Sequence, residues 1–237
     1  MIKNNLQKSK FLPATLDVVY AKRAILSALY QQLDKFHGTL LDVGCGYMPY
    51  KSILLQEPSK VDRYIGLDLE TNQIYANQPD LVWNGQTIPL SDESVDCAIA
   101  TEVFEHCFEP EATMKEINRV LKKGGILFFT VPFLWPLHDV PHDEYRYTPF
   151  ALDRHLKNSG FQQIQIQALG GWDAALAQMI GLWVRRRWKY SPFKRAVLST
   201  LAFPIVWFLT RLDKPPTQFG ESSMITGLSG MAMKVEQ

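Results

Sequence analysis

The stretch Leu40-Leu41-Asp42-Val43-Gly44-Cys45-Gly46 decides the reading of this chain. An apolar run that ends in an acid and a Gly-x-Gly turn is the pattern of a buried strand delivering its backbone to a ligand. Gly44 and Gly46 permit a tight turn and close approach, but Pro49 follows where a dinucleotide fingerprint would have its third glycine. That glycine is what lets a helix approach a pyrophosphate, so a dehydrogenase is disfavoured. Asp42 beside the turn would repel phosphate and help to hold an ammonium. Tyr64-Ile65-Gly66-Leu67-Asp68 then ends a second strand in a carboxylate 24 residues after Gly44, where an acid for ribose hydroxyls is expected. The competing reading of Asp68, a surface acid capping a helix, loses weight once both strands are taken together.

Outward from this pair, strands are expected over 39–43, 63–68, 81–83, 95–101, 125–131, 161–169 and 224–235. Helices are expected over 16–33, from Pro110 to a C-cap pair at Gly124-Gly125, and over 148–159. Strands alternating with helices imply an α/β fold with helices on both faces of a parallel sheet. At 237 residues and 46% hydrophobic, the chain reads as one domain carrying an insertion and able to bury its own core. The boundaries are an N-terminal helical segment 1–38, a core 39–171, an insertion 172–222 and a final core strand 223–237. Three cysteines without a CxxC pair argue against a zinc site or a disulfide framework and suit a reducing cytosol. The polar, lysine-rich start, Met1 to Lys10, has no apolar core of a secretory signal, so the expected location is cytoplasmic.

The two strand ends are followed in order by Ile88-Pro89-Leu90-Ser91-Asp92-Glu93-Ser94-Val95-Asp96, by Glu102-Val103-Phe104-Glu105-His106 and by Arg119-Val120-Leu121-Lys122-Lys123-Gly124-Gly125. This ordered set resembles class I S-adenosylmethionine-dependent methyltransferases of the type 11 kind, over about Thr39 to Leu169. The resemblance implies a Rossmann-like sheet of order 3-2-1-4-5-7-6, with S-adenosylmethionine as cofactor. It also implies that Asp42, Gly44, Cys45 and Gly46 flank the methionine part, and that Asp68, with Leu69 beside it, binds the ribose. Asn84 would face the adenine amino group through its amide oxygen, Gly85 would offer a backbone N–H, and Thr101 and Glu102 would line the sulfonium side.

His138 to Thr148 packs two histidines, three acids, an arginine and two tyrosines into a loop after the fifth strand, the end of the sheet where ligands bind. Its His–Asp…Arg–Tyr–Thr pattern resembles a subgroup of these enzymes associated with glycan and cell-surface biosynthesis. Methyl transfer to a hydroxyl needs alignment and a base, and His142 is the first candidate, His106 the second. His138, Asp143, Arg146 and Tyr147 are candidate acceptor contacts. The competing readings are that His142 and Asp143 pin the loop and that Arg146 pairs with Asp143 or Glu144. His138, Asp139, His142 and Asp143 are metal-ligand types, yet the transfer requires no metal and none is expected. Nucleic acid is not an expected partner, because no basic stripe with stacking aromatics lies in the catalytic part.

Net charge is +1, but 172–214 holds eight Lys/Arg against two Asp, or +6, leaving −5 elsewhere. Arg185-Arg186-Arg187-Trp188-Lys189-Tyr190 and Lys194-Arg195 precede the 15-residue apolar run 196–210, which is short of a membrane span and interrupted by Pro204, where a kink is expected. Such a segment suits in-plane contact with an anionic membrane, a helical lid, or a dimer interface. The expected activity is therefore O-methylation of a sugar hydroxyl in a glycan or lipid-linked intermediate. The alternatives are methylation of a soluble small molecule and cofactor binding without catalysis.

Overall fold

In the computed structural model, which describes residues 10–70 and 78–235, the run before Gly44 forms β1 (His37–Val43). It lies between β2 (Lys60–Leu69) and β4 (Val95–Thr101), parallel to both. Leu40, Leu41 and Val43 are fully buried, as a strand flanked on both edges and covered on both faces must be. Each such side chain contributes about 1.5–3 kcal/mol by leaving water. β3 (Leu81–Trp83) extends the sheet beyond β2, and β5 (Leu121–Pro132), β7 (Gly227–Lys234) and β6 (Phe161–Ala168) complete the other side. The order is 3-2-1-4-5-7-6 in a seven-stranded mixed sheet, as the family resemblance implied. Helices α1 (Val19–Tyr30), α2 (Lys51–Leu54), α3 (Pro110–Val120) and α4 (Pro149–Asn158) alternate with the strands, and Thr148 caps α4 by accepting the Ala151 N–H at 3.3 Å. Residues 1–9, on which most of the signal-sequence reading rests, lie outside the described residues.

One local expectation is corrected. Gly124-Gly125 is not a helix cap: α3 ends at Val120, and Leu121 already pairs with Val95. The register then slips so that Cys97 faces Ile126, and the glycines form a bulge inside β5. Gly124 has φ +75°, and a Cβ on Gly125 would sit 2.7 Å from the Lys122 carbonyl, so the bulge needs both glycines. Pro204 lies inside α6 (Pro192–Leu212), which runs through it for 21 residues.

The chain divides into two compact units. One holds 29–132, 137–166 and the residues from Ser229 on, and so contains most of the sheet and its loops. The other gathers the residues up to Ala28, 133–136 and 167–228. Its framework is α5 (Trp172–Leu182), a π-helical turn Trp183–Arg187 and α6, packed around Leu16, Ala177, Val184, Ala202 and Val206. A Cβ on Gly181 would lie 2.2 Å from the Leu16 carbonyl oxygen, so α5 meets the N-terminal segment backbone to backbone.

Candidate functional site

The turn after β1 is built for a ligand's approach. Gly44 has φ +67° and Gly46 φ +48°; a Cβ on Gly44 would strike Val103 at 2.6 Å, while above Gly46 the space is open to 4 Å. The turn is held by Cys45, whose N–H donates to the Leu67 carbonyl at 3.0 Å, and by Asp68, whose Oδ2 accepts the Gly46 N–H at 2.8 Å. Asp68 also accepts the Leu69 N–H at 2.8 Å through Oδ1. One carboxylate thus fixes the relation of the β1 turn to the end of β2 and keeps lone pairs for a ligand. Leu69 is 48% exposed beside it, and its side chain lies 3.3 Å from the Cβ position of Gly85, which has φ +80°.

Asp42 is 1% exposed. Tyr64 Oη donates to its Oδ2, whereas Oδ1 is buried without a hydrogen-bond partner. Burial pushes the carboxyl up to about 7, against the opposing pull of the Tyr64 hydrogen bond. An orphaned buried acceptor under a glycine turn fits a ligand bearing a cationic donor. Asn84 departs from expectation: its amide oxygen accepts the Gln86 and Thr87 N–H groups, each at 3.0 Å, so its amide nitrogen is the group left to face a base.

At the end of β4, Glu102 stands at φ +56°, a left-handed conformation uncommon for a residue with a side chain and typical of functional sites. Its N–H donates to the Thr130 carbonyl at 3.0 Å, and its Oε1 accepts Thr130 Oγ1 at 2.8 Å. Burial raises its carboxyl to about 7. Tyr50, absent from the sequence candidates, hydrogen-bonds Thr101 on this side, and burial next to Glu102 and Asp42 raises its hydroxyl. No local pattern marks Tyr50, because it reaches the site only through the fold.

The acceptor-loop residues separate into two kinds. Asp143, with 2% of its side chain exposed, takes both arms of Arg146 at 2.7 and 2.8 Å and the His138 N–H at 3.1 Å. Arg146 therefore holds its carboxyl well below the usual range. Tyr147, 2% exposed, donates to the Phe104 carbonyl at 2.9 Å. Asp143, Arg146 and Tyr147, expected as acceptor contacts, thus shape the loop. His142 is exposed, and its backbone fastens the loop by accepting from His106 Nδ1 at 2.8 Å. His106 and His138 are brought together edge to face, with ring centroids 4.7 Å apart. Beneath them is Glu105, fully buried with neither oxygen hydrogen-bonded, its Oε1 3.7 Å from His106 Nε2. Burial and the neighbouring Glu102 charge hold its carboxyl well above the usual range. Glu105 has no role that its sequence context assigns; the i,i+3 spacing from Glu102 is the one local signal that could mark it.

Residues 41–129 match the family model described as a methyltransferase domain. Over that span the chain is similar to a methyltransferase domain. Protein MJ1252 of Methanocaldococcus jannaschii is 35% identical to the chain over 121 residues, 48% of this chain and 45% of that protein. Thiol S-methyltransferase TMT1B of Rattus norvegicus is 28% identical over 43% of this chain and 47% of its own length. The chain thus spans about half the length of these relatives. Among solved structures, a chain from the complex between the Haloferax volcanii Trm112 methyltransferase activator and a methyltransferase superposes with a TM-score of 0.58. The identity is 17%, over 99% of this chain and 96% of that one, a likeness of fold. The matched span runs from β1 into β5, so it includes the glycine turn, Asp68 and the Glu102–His106 stretch.

Proposed function

We propose that this chain is an S-adenosylmethionine-dependent O-methyltransferase acting on a sugar hydroxyl of a glycan or lipid-linked intermediate. The observation that carries the reading is the juxtaposition, at the carboxyl ends of β1, β2 and β4, of three groups. They are the orphaned Asp42 oxygen under an open glycine turn, the strand-end carboxylate of Asp68, and the His106–His138 pair. S-adenosylmethionine, when bound, supplies a sulfonium methyl group for in-line transfer. Asp42 and the turn of Gly44, Cys45 and Gly46 hold its amino-acid end, Asp68 its ribose hydroxyls, and Asn84 and Gly85 its base, with Leu69 packing beside them. Thr101 and Glu102 border the reacting end.

His106 supports the hydroxyl assignment. The His142 carbonyl can only accept, so His106 Nδ1 holds the proton of the neutral ring and Nε2 presents a lone pair. An Nε2 oriented through a fixed Nδ1–H is the arrangement that receives a proton from an acceptor hydroxyl. His138 is set the same way, its Nδ1 lying 3.2 Å from Asp143 Oδ2. His106 thereby replaces His142 as the first candidate base.

The second unit supports a membrane-bound acceptor. Along α6, Val197, Leu201, Ile205, Phe208 and Leu212 are each 42–65% exposed and recur at i+4, i+4, i+3 and i+4, one continuous outward stripe. Ser199, Ala202 and Val206 are buried on the opposite face. A helix apolar on both faces with one covered leaves the other for a nonaqueous phase. The helix is long and apolar enough to cross a membrane, which the 15-residue run by itself was not. Its buried face instead favours lying in the interface plane. Arg185 and Arg186 are committed to Asp17, at 3.7 and 2.9 Å. Arg187, Lys189, Lys194 and Arg211 lie over the rings of Trp188, Tyr190, Trp188 and Trp207, an arrangement suited to headgroup depth.

The test is incubation of the protein with methyl-labelled S-adenosylmethionine and a lysate of its source, followed by solvent partition. Label in the organic phase is the expected result. Label in the aqueous phase replaces the lipid-linked acceptor with a soluble one, and absence of any transfer defeats the enzymatic reading.

A further inference from the structure

We propose that Glu105, His106 and His138 bind a divalent transition-metal ion. One ligand atom of each lies within 4.8 Å of those of the other two, and among the described residues no other His, Cys, Asp and Glu side chains form such a group. Corners of a triangle with 4.8 Å sides sit about 2.8 Å from its centre, so side-chain movements of about 0.7 Å reach the roughly 2.1 Å of a metal–nitrogen bond.

Three features make this more than proximity. Both oxygens of Glu105 are buried and, among the described residues, meet no hydrogen-bond partner at full geometry, a costly arrangement for a carboxylate that a cation would satisfy. Each histidine has its Nδ1 engaged from outside the cluster, His106 by the His142 carbonyl at 2.8 Å and His138 by the Asp143 carboxylate at 3.2 Å. That outer engagement orients a metal-binding imidazole, fixes its tautomer and leaves Nε2 as the donor. Arg146, held bidentate on Asp143, keeps that outer carboxylate in place. The backbone joins the parts as well, because Glu144 and Tyr145 donate to the Glu105 carbonyl at 2.8 and 3.1 Å, tying the acceptor loop to the turn after β4.

Two imidazoles and one carboxylate form a borderline donor set that suits Mn2+, Fe2+, Co2+ or Zn2+ better than Ca2+. Three protein ligands are fewer than the four to six that such ions take, which leaves positions for an acceptor oxygen. Resting on the proposed methyl transfer, the ion would bind the acceptor hydroxyl and ease loss of its proton to solvent as the oxygen–methyl bond forms and the sulfur–methyl bond breaks. His106 would then act as a ligand in place of a direct base.

The test is titration of untagged, chelator-stripped full-length protein with Mn2+, read by loss of the free-ion paramagnetic resonance signal. One ion per chain at micromolar concentration is expected. Glu105→Gln and His138→Ala should each weaken binding at least tenfold, with the far-ultraviolet dichroism of the wild type and undiminished S-adenosylmethionine binding. No binding below millimolar Mn2+, or binding that both variants retain, overturns the site. Binding without methyl transfer to any acceptor upholds the site and defeats the enzymatic reading. Full transfer in excess chelator overturns the ion's place in the reaction.

Discussion

Replacing Asp42 with asparagine should change how the protein's stability depends on pH. The carboxyl is 1% exposed and titrates at about 7, against 3.8 unperturbed. Because its folded value is raised, the fold favours the protonated form. The stabilisation is present at low pH and is lost as pH rises through the interval from about 4 to 7. About three units at 1.36 kcal/mol each give about 4 kcal/mol, an upper figure because water and side chains relax around a buried charge. The substituted amide would still accept from Tyr64 Oη, and its NH2 group would stand where the orphaned Oδ1 is now, at a cost of about 1–3 kcal/mol that does not vary with pH. The slope is therefore the diagnostic quantity. Unfolding free energies from urea titrations between pH 4.5 and 8.5 should show the wild type losing roughly 2–4 kcal/mol relative to Asp42→Asn across that range. Glu102 and Glu105 contribute to both curves alike and cancel in the difference. Parallel curves, within about 0.5 kcal/mol, would refute the argument that burial governs this carboxyl.

Asp68→Ala should lose most S-adenosylmethionine affinity by calorimetry. It should also lower the melting temperature of the free protein by a few degrees, because the Gly46 and Leu69 N–H groups lose their acceptor. Gly44→Ala should destabilise by about 1–3 kcal/mol in chemical denaturation, through both its φ of +67° and the clash with Val103. His106→Ala should reduce turnover by roughly 10²–10⁴ while His142→Ala leaves it within about threefold, since the latter serves through its carbonyl; the reverse order in steady-state rates would restore His142. Leu201→Glu together with Ile205→Glu should abolish sedimentation with anionic vesicles at low salt and leave the dichroism spectrum unchanged, because both side chains point outward.

The strands and the turn after β1 are legible in the amino-acid order, because those features are local, whereas the order of the strands in the sheet was implied by the family resemblance. Apolar runs of strand length, an acid at each strand end and Gly-x-Gly at the first turn are all read within a few residues. The strand bounds 81–83 and 95–101 fall where the apolar pattern puts them. Expectation fails at Gly124-Gly125, where a glycine pair suits a helix cap and a strand bulge equally, and only pairing with β4 selects the bulge. Composition and an apolar run give the basic, aromatic character of the insertion. Only the folded structure shows that the run extends to a 21-residue helix with one face covered, and that two arginines of the insertion pair with the single carboxylate of Asp17. The acceptor loop divides in the same way. A string of histidines and acids marks it as a candidate, but which of them face a ligand depends on partners both within the loop and more than 30 residues distant. Asp143 has the look of a contact residue until Arg146 and His138 are seen to occupy it, and Glu105 passes for part of a motif until both its oxygens are found buried without a donor. Side-chain commitment and burial are sums over neighbours from separate strands and loops, so no reading of one segment can supply them.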